Sequence, residues 1–170
     1  MKVLVLYDSQ YGNTHQIAQT IASQLSSPQE VSLKRPAELD RTQLAGLSLL
    51  VVGSPTQRFM ATPALMAWLK DIPRDGLRDV PVATFDTRLT EQQIQETPVL
   101  KWFVRKSSYA AWWLAQRLKK KGGQLILPPE GFYVEGMEGP LLPGELERAG
   151  EWARKILAAV QMDLEAIETA

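Results

Sequence analysis

A short stretch rich in hydroxyl and amide side chains follows the first apolar segment of the chain. The apolar run at Val3–Tyr7 predicts a buried parallel strand, and apolar residues at helical spacing over 17–25 predict a helix. Gly12 lies between them and allows a tight turn. Free N–H groups at a helix N-terminus, its dipole and nearby hydroxyls can hold a phosphate without a lysine. The sequence therefore predicts an anion site at Ser9, Gln10, Tyr11, Gly12, Asn13 and Thr14.

This motif resembles the phosphate-binding signature of the flavodoxin family, which binds flavin mononucleotide (FMN). The resemblance extends to about residue 160. It is most specific in the first motif, where Ser9, Gly12, Thr14, Ala18 and Ile21 are in register. It implies that residues 9–14 bind the phosphate of an FMN cofactor. A turn of this composition also occurs in ordinary βα connections, because Gly and Asn are favoured there for backbone reasons alone.

Short apolar strands alternate with helices along the chain, which predicts an α/β fold with a parallel sheet covered on both faces. Strands are expected at 3–7, 30–34, 47–53, 80–85 and 124–127, with a further extension at 132–134. Later helices are expected at 40–45, 62–70, 107–121 and from about 144. The resemblance implies a doubly wound, five-stranded flavodoxin-like sheet of order 2-1-3-4-5, with the ligand beyond the carboxyl ends of strands one and three.

Two further loops are expected at the same edge of the sheet, and the resemblance implies that they hold the isoalloxazine ring. The first is similar to the Pro-Thr-Arg-Phe pattern of flavodoxin-like quinone reductases, with Gln57 inserted; it comprises Ser54, Pro55, Thr56, Gln57, Arg58, Phe59 and Met60. The second is expected at Phe85, Asp86, Thr87 and Arg88. Phe59 could pack on the ring, and Arg58 and Arg88 are both expected near it.

The connection that follows, at about 89–106, is longer than the ~4–6 residues usual between elements. Flavodoxins usually have an aromatic residue soon after the fourth strand, whereas this chain has none until Trp102 and Phe103. The segment is a lid, a dimer contact or part of the core, and the sequence does not decide among these.

Composition restricts the classes of function. The chain has 170 residues, of which 45% are hydrophobic, so one domain over 1–170 is expected, with a C-terminal tail at about 161–170. Lys plus Arg and Asp plus Glu number 19 each. The net charge is therefore zero and provides no general electrostatic attraction to nucleic acid. There is no cysteine and only His15, so disulfides, thiol catalysis and a metal site are not expected. Without a signal segment or a membrane-spanning run, a cytoplasmic protein is expected.

The favoured function is an FMN-binding electron carrier, whose partner is a redox protein or a small-molecule electron acceptor. An NAD(P)H-dependent quinone or nitro-compound reductase stays open, as do a homodimer and a flavin-free interaction module. A phosphorylated receiver domain is disfavoured because such a domain needs a cluster of acidic residues in the loop directly after the first strand, and this loop has only Asp8. Gly53-Ser54 and Pro128-Pro129 stand where such a domain needs Asp and Lys.

Overall fold

The structure, a computed structural model, describes residues 1–25, 30–57, 60–96 and 109–168. The strands are β1 (Val3–Tyr7), β2 (Val31–Lys34), β3 (Leu49–Pro55), β4 (Pro81–Leu89), β5 (Gln124–Leu125) and β6 (Glu130–Val134). The α-helices are α1 (Asn13–Leu25), α2 (Pro63–Asp71), α3 (Glu91–Glu96), α4 (Ala110–Lys119) and α5 (Glu145–Glu168). Two 3-10 helices, Pro36–Glu38 and Arg41–Leu44, connect β2 to β3. The sheet is parallel with the order β2-β1-β3-β4-β5, which confirms the predicted class and topology.

Both faces of the sheet are buried, and β1 shows how the sequence achieves this. Val3, Val5 and Tyr7 pack in a core on the face covered by α1 and α5. Leu4 and Leu6 point to the opposite face, which is covered by α2 and α4. Because successive side chains of a strand alternate between faces, a strand buried on both sides must be apolar throughout.

The fifth position of the sheet is shared by two short strands. β5 pairs with Pro81 and Val82 at the start of β4, and β6 pairs with the stretch from Phe85 to Leu89. Pro128 and Pro129 lie between the two strands and have no N–H to donate to a ladder. The predicted strand and its extension therefore both belong to the sheet, and the two prolines separate them.

β4 extends four residues beyond its predicted end, so the expected loop at Phe85, Asp86, Thr87 and Arg88 was wrong. On one side, β3 pairs with Asp86 and Thr87. On the other side, β6 pairs with all four residues. A strand with partners on both sides has its backbone N–H and C=O groups satisfied, which stabilises polar residues in an extended conformation.

The later helices also refine the predicted boundaries. α4 begins at Ala110, and α5 continues to Glu168, so the expected tail is helical over most of its length. Trp102 and Phe103 lie outside the described residues. Of the long connection at 89–106, the structure describes residues 89–96, which include α3. Within the described ranges, no helix combines the length and the apolar character needed to cross a bilayer.

Candidate functional site

Because all the strands are parallel, the carboxyl ends of β1, β3 and β4 lie at one edge of the sheet. Residues 8–15, here called loop 1, comprise the connection from β1 to α1 at this edge and the first residues of α1. Gly12 has a φ of 89°, a conformation that favours glycine. The first helical bond runs from the Gln16 N–H to the Gly12 carbonyl at 3.1 Å. In the described part of the chain, the N–H groups of Asn13, Thr14 and His15 have no acceptor, so they are available to an anion.

Side chains of loop 1 organise this set of donors. The Ser9 hydroxyl oxygen accepts the Gly12 N–H at 3.1 Å, and the Ser9 N–H donates to Asp8 Oδ1 at 2.8 Å. Ser9, Asn13 and Thr14 are buried, whereas Gln10 and Tyr11 are exposed. The six residues predicted to bind phosphate thus form one turn, with a buried inner side and an exposed rim.

The first turn of α1 also contacts β4. The hydroxyl oxygens of Thr14 and Thr87 lie 2.8 Å apart, and both side chains are buried. Thr87 was expected in a loop at the isoalloxazine. It instead lies on the α1 face of β4, next to the candidate phosphate site.

Residues 56–62, here called loop 2, connect β3 to α2. The buried Ser54 hydroxyl donates to the Pro55 carbonyl and accepts the Thr62 N–H at 3.1 Å. Gln57 and Met60 exchange two backbone hydrogen bonds, and the Gln57 side chain donates to the Gln10 side chain of loop 1.

Two polar features of loop 2 bear on ligand binding. The Thr62 hydroxyl is buried and has no partner among the described residues. It does not cap α2, although Thr62 is the N-cap and Pro63 the first residue of this helix, which begins where the helix at 62–70 was expected. Arg58 and Phe59 lie outside the described residues, so their expected contacts with the flavin stay predictions.

The side chains of β4 divide between the two faces of the sheet. Phe85 is fully buried and makes edge contacts with Phe132 and Trp152, at centroid distances of 5.9 and 6.1 Å. A Cβ atom on Gly53 would lie 2.0 Å from the Phe85 ring, so the ring occupies the space over that glycine. Phe85 is therefore a core residue on the α1 and α5 face of the sheet.

Asp86 and Arg88 form an ion pair on the α4 face, where Arg88 Nε donates to Asp86 Oδ1 at 2.5 Å. Asp86 is fully buried, and its Oδ2 accepts the Ala111 N–H at 2.8 Å. Burial raises the pKa of Asp86, while Arg88 and the hydrogen bonds from Ala111 and Thr56 oppose that rise. All of these partners are donors, which suits an ionised carboxylate. The Arg88 guanidinium lies 3.8 Å from the centroid of the Tyr109 ring.

Sequence reasoning missed three groups beside loop 1. Arg35 Nη1 lies 3.7 Å from Asp8 Oδ1, and the Arg35 guanidinium lies 5.5 Å from the centroid of the Tyr7 ring. Tyr7 stacks on His15 with a centroid distance of 5.0 Å. A signal for Arg35 was present, because it directly follows β2 and parallel neighbours end at the same edge of a sheet. His15, at the start of α1, is half-buried against Tyr7.

Residues 135–144, here called loop 3, connect β6 to α5 and also approach loop 1. Asn13 Nδ2 donates to the Glu138 carbonyl at 2.9 Å. Gly139 has a φ of 101°, and a Cβ atom there would lie 2.3 Å from Asn13 Nδ2. Nothing in the local sequence of either loop predicted this contact, which joins residues 125 positions apart.

Three exposed apolar side chains come from the three loops. Tyr11 of loop 1 is 50% exposed, Met60 of loop 2 is 40% exposed, and Met137 of loop 3 is 85% exposed. Among the described residues, each loop thus presents one large apolar side chain to solvent.

Comparisons with known proteins agree with this architecture. Residues 4–133 match the family described as Flavodoxin domain. A flavodoxin from the domain Archaea is 16% identical, with a TM-score of 0.73, over 95% of this chain and 99% of that one. A WrbA-like flavodoxin from Agrobacterium tumefaciens is 16% identical, with a TM-score of 0.66, over 95% and 98% of the two chains.

A similar fold also forms part of a larger protein. Rubredoxin oxygen:oxidoreductase from Desulfovibrio gigas is 20% identical, with a TM-score of 0.70, over 96% of this chain but only 37% of that one. No match was found among curated protein sequences. The structural similarities concern the fold, and the family match covers most of the sheet together with loops 1 and 2. The chain therefore belongs to the flavodoxin domain family.

Proposed function

We propose that this protein binds FMN non-covalently at loop 1 and acts as an electron carrier. The observation that carries the proposal is the set of N–H groups without acceptors at Asn13, Thr14 and His15, beside a buried hydroxyl of Thr14. A dianionic phosphate is favoured there by the helix dipole and by three or more hydrogen bonds. The absence of Lys and Arg from residues 8–14 is compatible with this mode of binding.

The remaining polar groups fit the rest of the cofactor. The end of β3 contributes the buried Ser54, and loop 2 contributes the Thr62 hydroxyl, which has no partner among the described residues. The Gln10 to Gln57 hydrogen bond holds loops 1 and 2 together at the rim. Bound FMN would supply electron transfer through its isoalloxazine ring, so no protein nucleophile is needed.

An electron carrier must also contact its partner. The exposed side chains of Tyr11, Met60 and Met137 offer apolar contacts around loops 1 to 3. A redox protein or a small-molecule acceptor that covers these side chains would bury apolar surface near the proposed cofactor.

A second candidate is an NAD(P)H-dependent quinone or nitro-compound reductase. The observation in its favour is that β4 continues directly into α3 without an aromatic residue from Thr87 to Glu96. An aromatic cover from this part of the chain is therefore absent, which would leave a face of the isoalloxazine open to a substrate.

An absorption spectrum of the purified protein tests the cofactor first. Visible flavin bands, or a saturable change when FMN is added to colourless protein, are expected. A colourless protein that does not respond to FMN would contradict both redox functions and leave the flavin-free interaction module. Bleaching of the bound flavin by NADH or NADPH would favour the reductase, whereas reduction only by a redox protein would favour the carrier.

A further inference from the structure

We propose that Arg88 is a second anion subsite, on the α4 face of β4, that takes a carboxylate or phosphate group of a small-molecule substrate. If the protein is a redox protein, this substrate exchanges electrons with the flavin, and that part of the proposal rests on the proposed function. The subsite itself is argued from Arg88, Asp86, Tyr109 and Gly131.

The subsite lies on the opposite side of β4 from loop 1. Thr87 contacts Thr14 on the α1 face, whereas Asp86 accepts the Ala111 N–H on the α4 face. Arg88 is two residues from Asp86 and lies on the same face. A single phosphate therefore does not reach both Thr14 and Arg88, so the FMN phosphate leaves Arg88 available.

Neighbouring groups hold the guanidinium in one orientation. Its Nε donates to Asp86, and its Cζ lies 3.8 Å from the centroid of the Tyr109 ring. A Cβ atom on Gly131 would lie 2.5 Å from both Cζ and Nε, so Arg88 depends on the glycine for this close approach. The Arg88 side chain is only 16% exposed. Its conformational entropy is largely lost before any ligand arrives, which favours binding.

The terminal amino groups of Arg88 are the binding elements. Nε is occupied by Asp86, but neither terminal nitrogen has an acceptor within the described ranges. Their N–H groups form a planar fork that matches two oxygens of a carboxylate or a phosphate. Since Asp86 balances the charge of Arg88, binding depends on these short-range hydrogen bonds and is expected to vary little with salt.

Titration followed by ¹⁵N NMR tests the subsite with benzoate and phenyl phosphate as separate probes, on protein saturated with FMN. Saturable shifts of the Arg88 Nε–H and Ala111 N–H signals are expected with at least one probe. The tighter probe identifies the chemical group of the substrate. If neither probe moves the Arg88 signal in the wild-type protein, the subsite does not exist.

Variants separate this subsite from the FMN site. Arg88→Lys keeps the charge opposite Asp86 but loses the fork, so it should weaken the better probe about tenfold while leaving FMN affinity unchanged. Arg78→Ala, at an exposed arginine, is the matched control and should bind both ligands normally. An equal loss of FMN and probe affinity in Arg88→Lys would show that Arg88 serves the cofactor, which overturns the proposal.

Failure of the proposed function gives a different result. If the protein binds no FMN at all, the same titrations are made on the protein as isolated, with Thr14→Ala excluding binding at loop 1. Probe binding that needs Arg88 but not Thr14 would support the subsite even then. Probe binding that needs Thr14 and not Arg88 would overturn it.

Discussion

The hydroxyl oxygens of Thr14 and Thr87 lie 2.8 Å apart and connect the first turn of α1 to the carboxyl end of β4. In such a pair one hydroxyl donates to the other, and the second hydroxyl keeps its hydrogen for another acceptor. The pair therefore retains one donor beside the free N–H groups of α1. A phosphate oxygen bound at loop 1 is a suitable acceptor for it.

Thr14→Ala should weaken FMN binding about tenfold to hundredfold, because a hydrogen bond to a charged group contributes roughly 1.5–3 kcal/mol. Riboflavin, which lacks the phosphate, should be affected much less. Fluorescence titration measures both affinities. Thr20→Ala is the matched control, since this exposed hydroxyl bonds only within α1. Equal weakening of FMN and riboflavin would show that Thr14 does not bind the phosphate.

Gly139→Ala should disturb loop 1, although the two sites are far apart in the sequence. A side chain at φ 101° is strained by about 1–3 kcal/mol, and its Cβ would collide with Asn13 Nδ2. Both the free energy of unfolding and the FMN affinity are expected to fall, as measured by urea denaturation and titration. Gly136→Ala is the control, because a Cβ atom there meets nothing within 4 Å. Unchanged FMN affinity in Gly139→Ala would show that loop 3 does not influence cofactor binding.

Asp86→Ala should lower the free energy of unfolding by about 3–5 kcal/mol, because it leaves a largely buried arginine without its carboxylate. Urea denaturation measures the loss. The double variant Asp86→Leu with Arg88→Met should be more stable than Asp86→Ala, since it removes both charges and keeps apolar volume. A double variant less stable than Asp86→Ala would show that neighbouring contacts, and not the unpaired charge, dominate.

The pKa of Asp86 predicts a pH dependence of stability. Because the pKa is raised in the folded protein above its ordinary value of 3.8, the unfolded state loses this proton first as pH rises. The free energy of unfolding should therefore fall, relative to Asp86→Asn, between pH 3.8 and the folded pKa, by about 1.4 kcal/mol per unit of pKa difference. Denaturation of both proteins across pH measures this difference. A relative rise over the same range would mean that Arg88 and the N–H donors outweigh burial.

The two arginines expected near the flavin should differ in their effect on its reduction potential. Arg88 is neutralised by Asp86, so replacing the pair by Asp86→Asn with Arg88→Gln should hardly change the potential. An uncompensated Arg58 at ~7 Å, with an effective dielectric constant of about 20, would contribute about 2 kcal/mol or roughly 100 mV. Arg58→Ala should then make the potential more negative in a redox titration. A potential that changes in the Asp86→Asn, Arg88→Gln double variant but not in Arg58→Ala would contradict this prediction.

The sequence by itself determined the local elements that build the candidate site. The apolar run of β1 predicts a strand buried on both faces, and Gly12 predicts the tight turn before α1. Thr62 and Pro63 predict the start of α2. These signals are local, since they depend on side-chain periodicity, backbone freedom and the missing N–H of proline.

Tertiary structure alone decided the partners of the polar residues at the sheet edge. Asp86 and Arg88 resembled loop residues because charged side chains are rare in a central strand, but pairing with β3 and β6 keeps them in β4. Tyr109 reaches Arg88, and Asn13 reaches the Glu138 carbonyl, across long stretches of chain. Such contacts depend on which strands and helices are neighbours in space, and residue spacing along one segment carries no information about them.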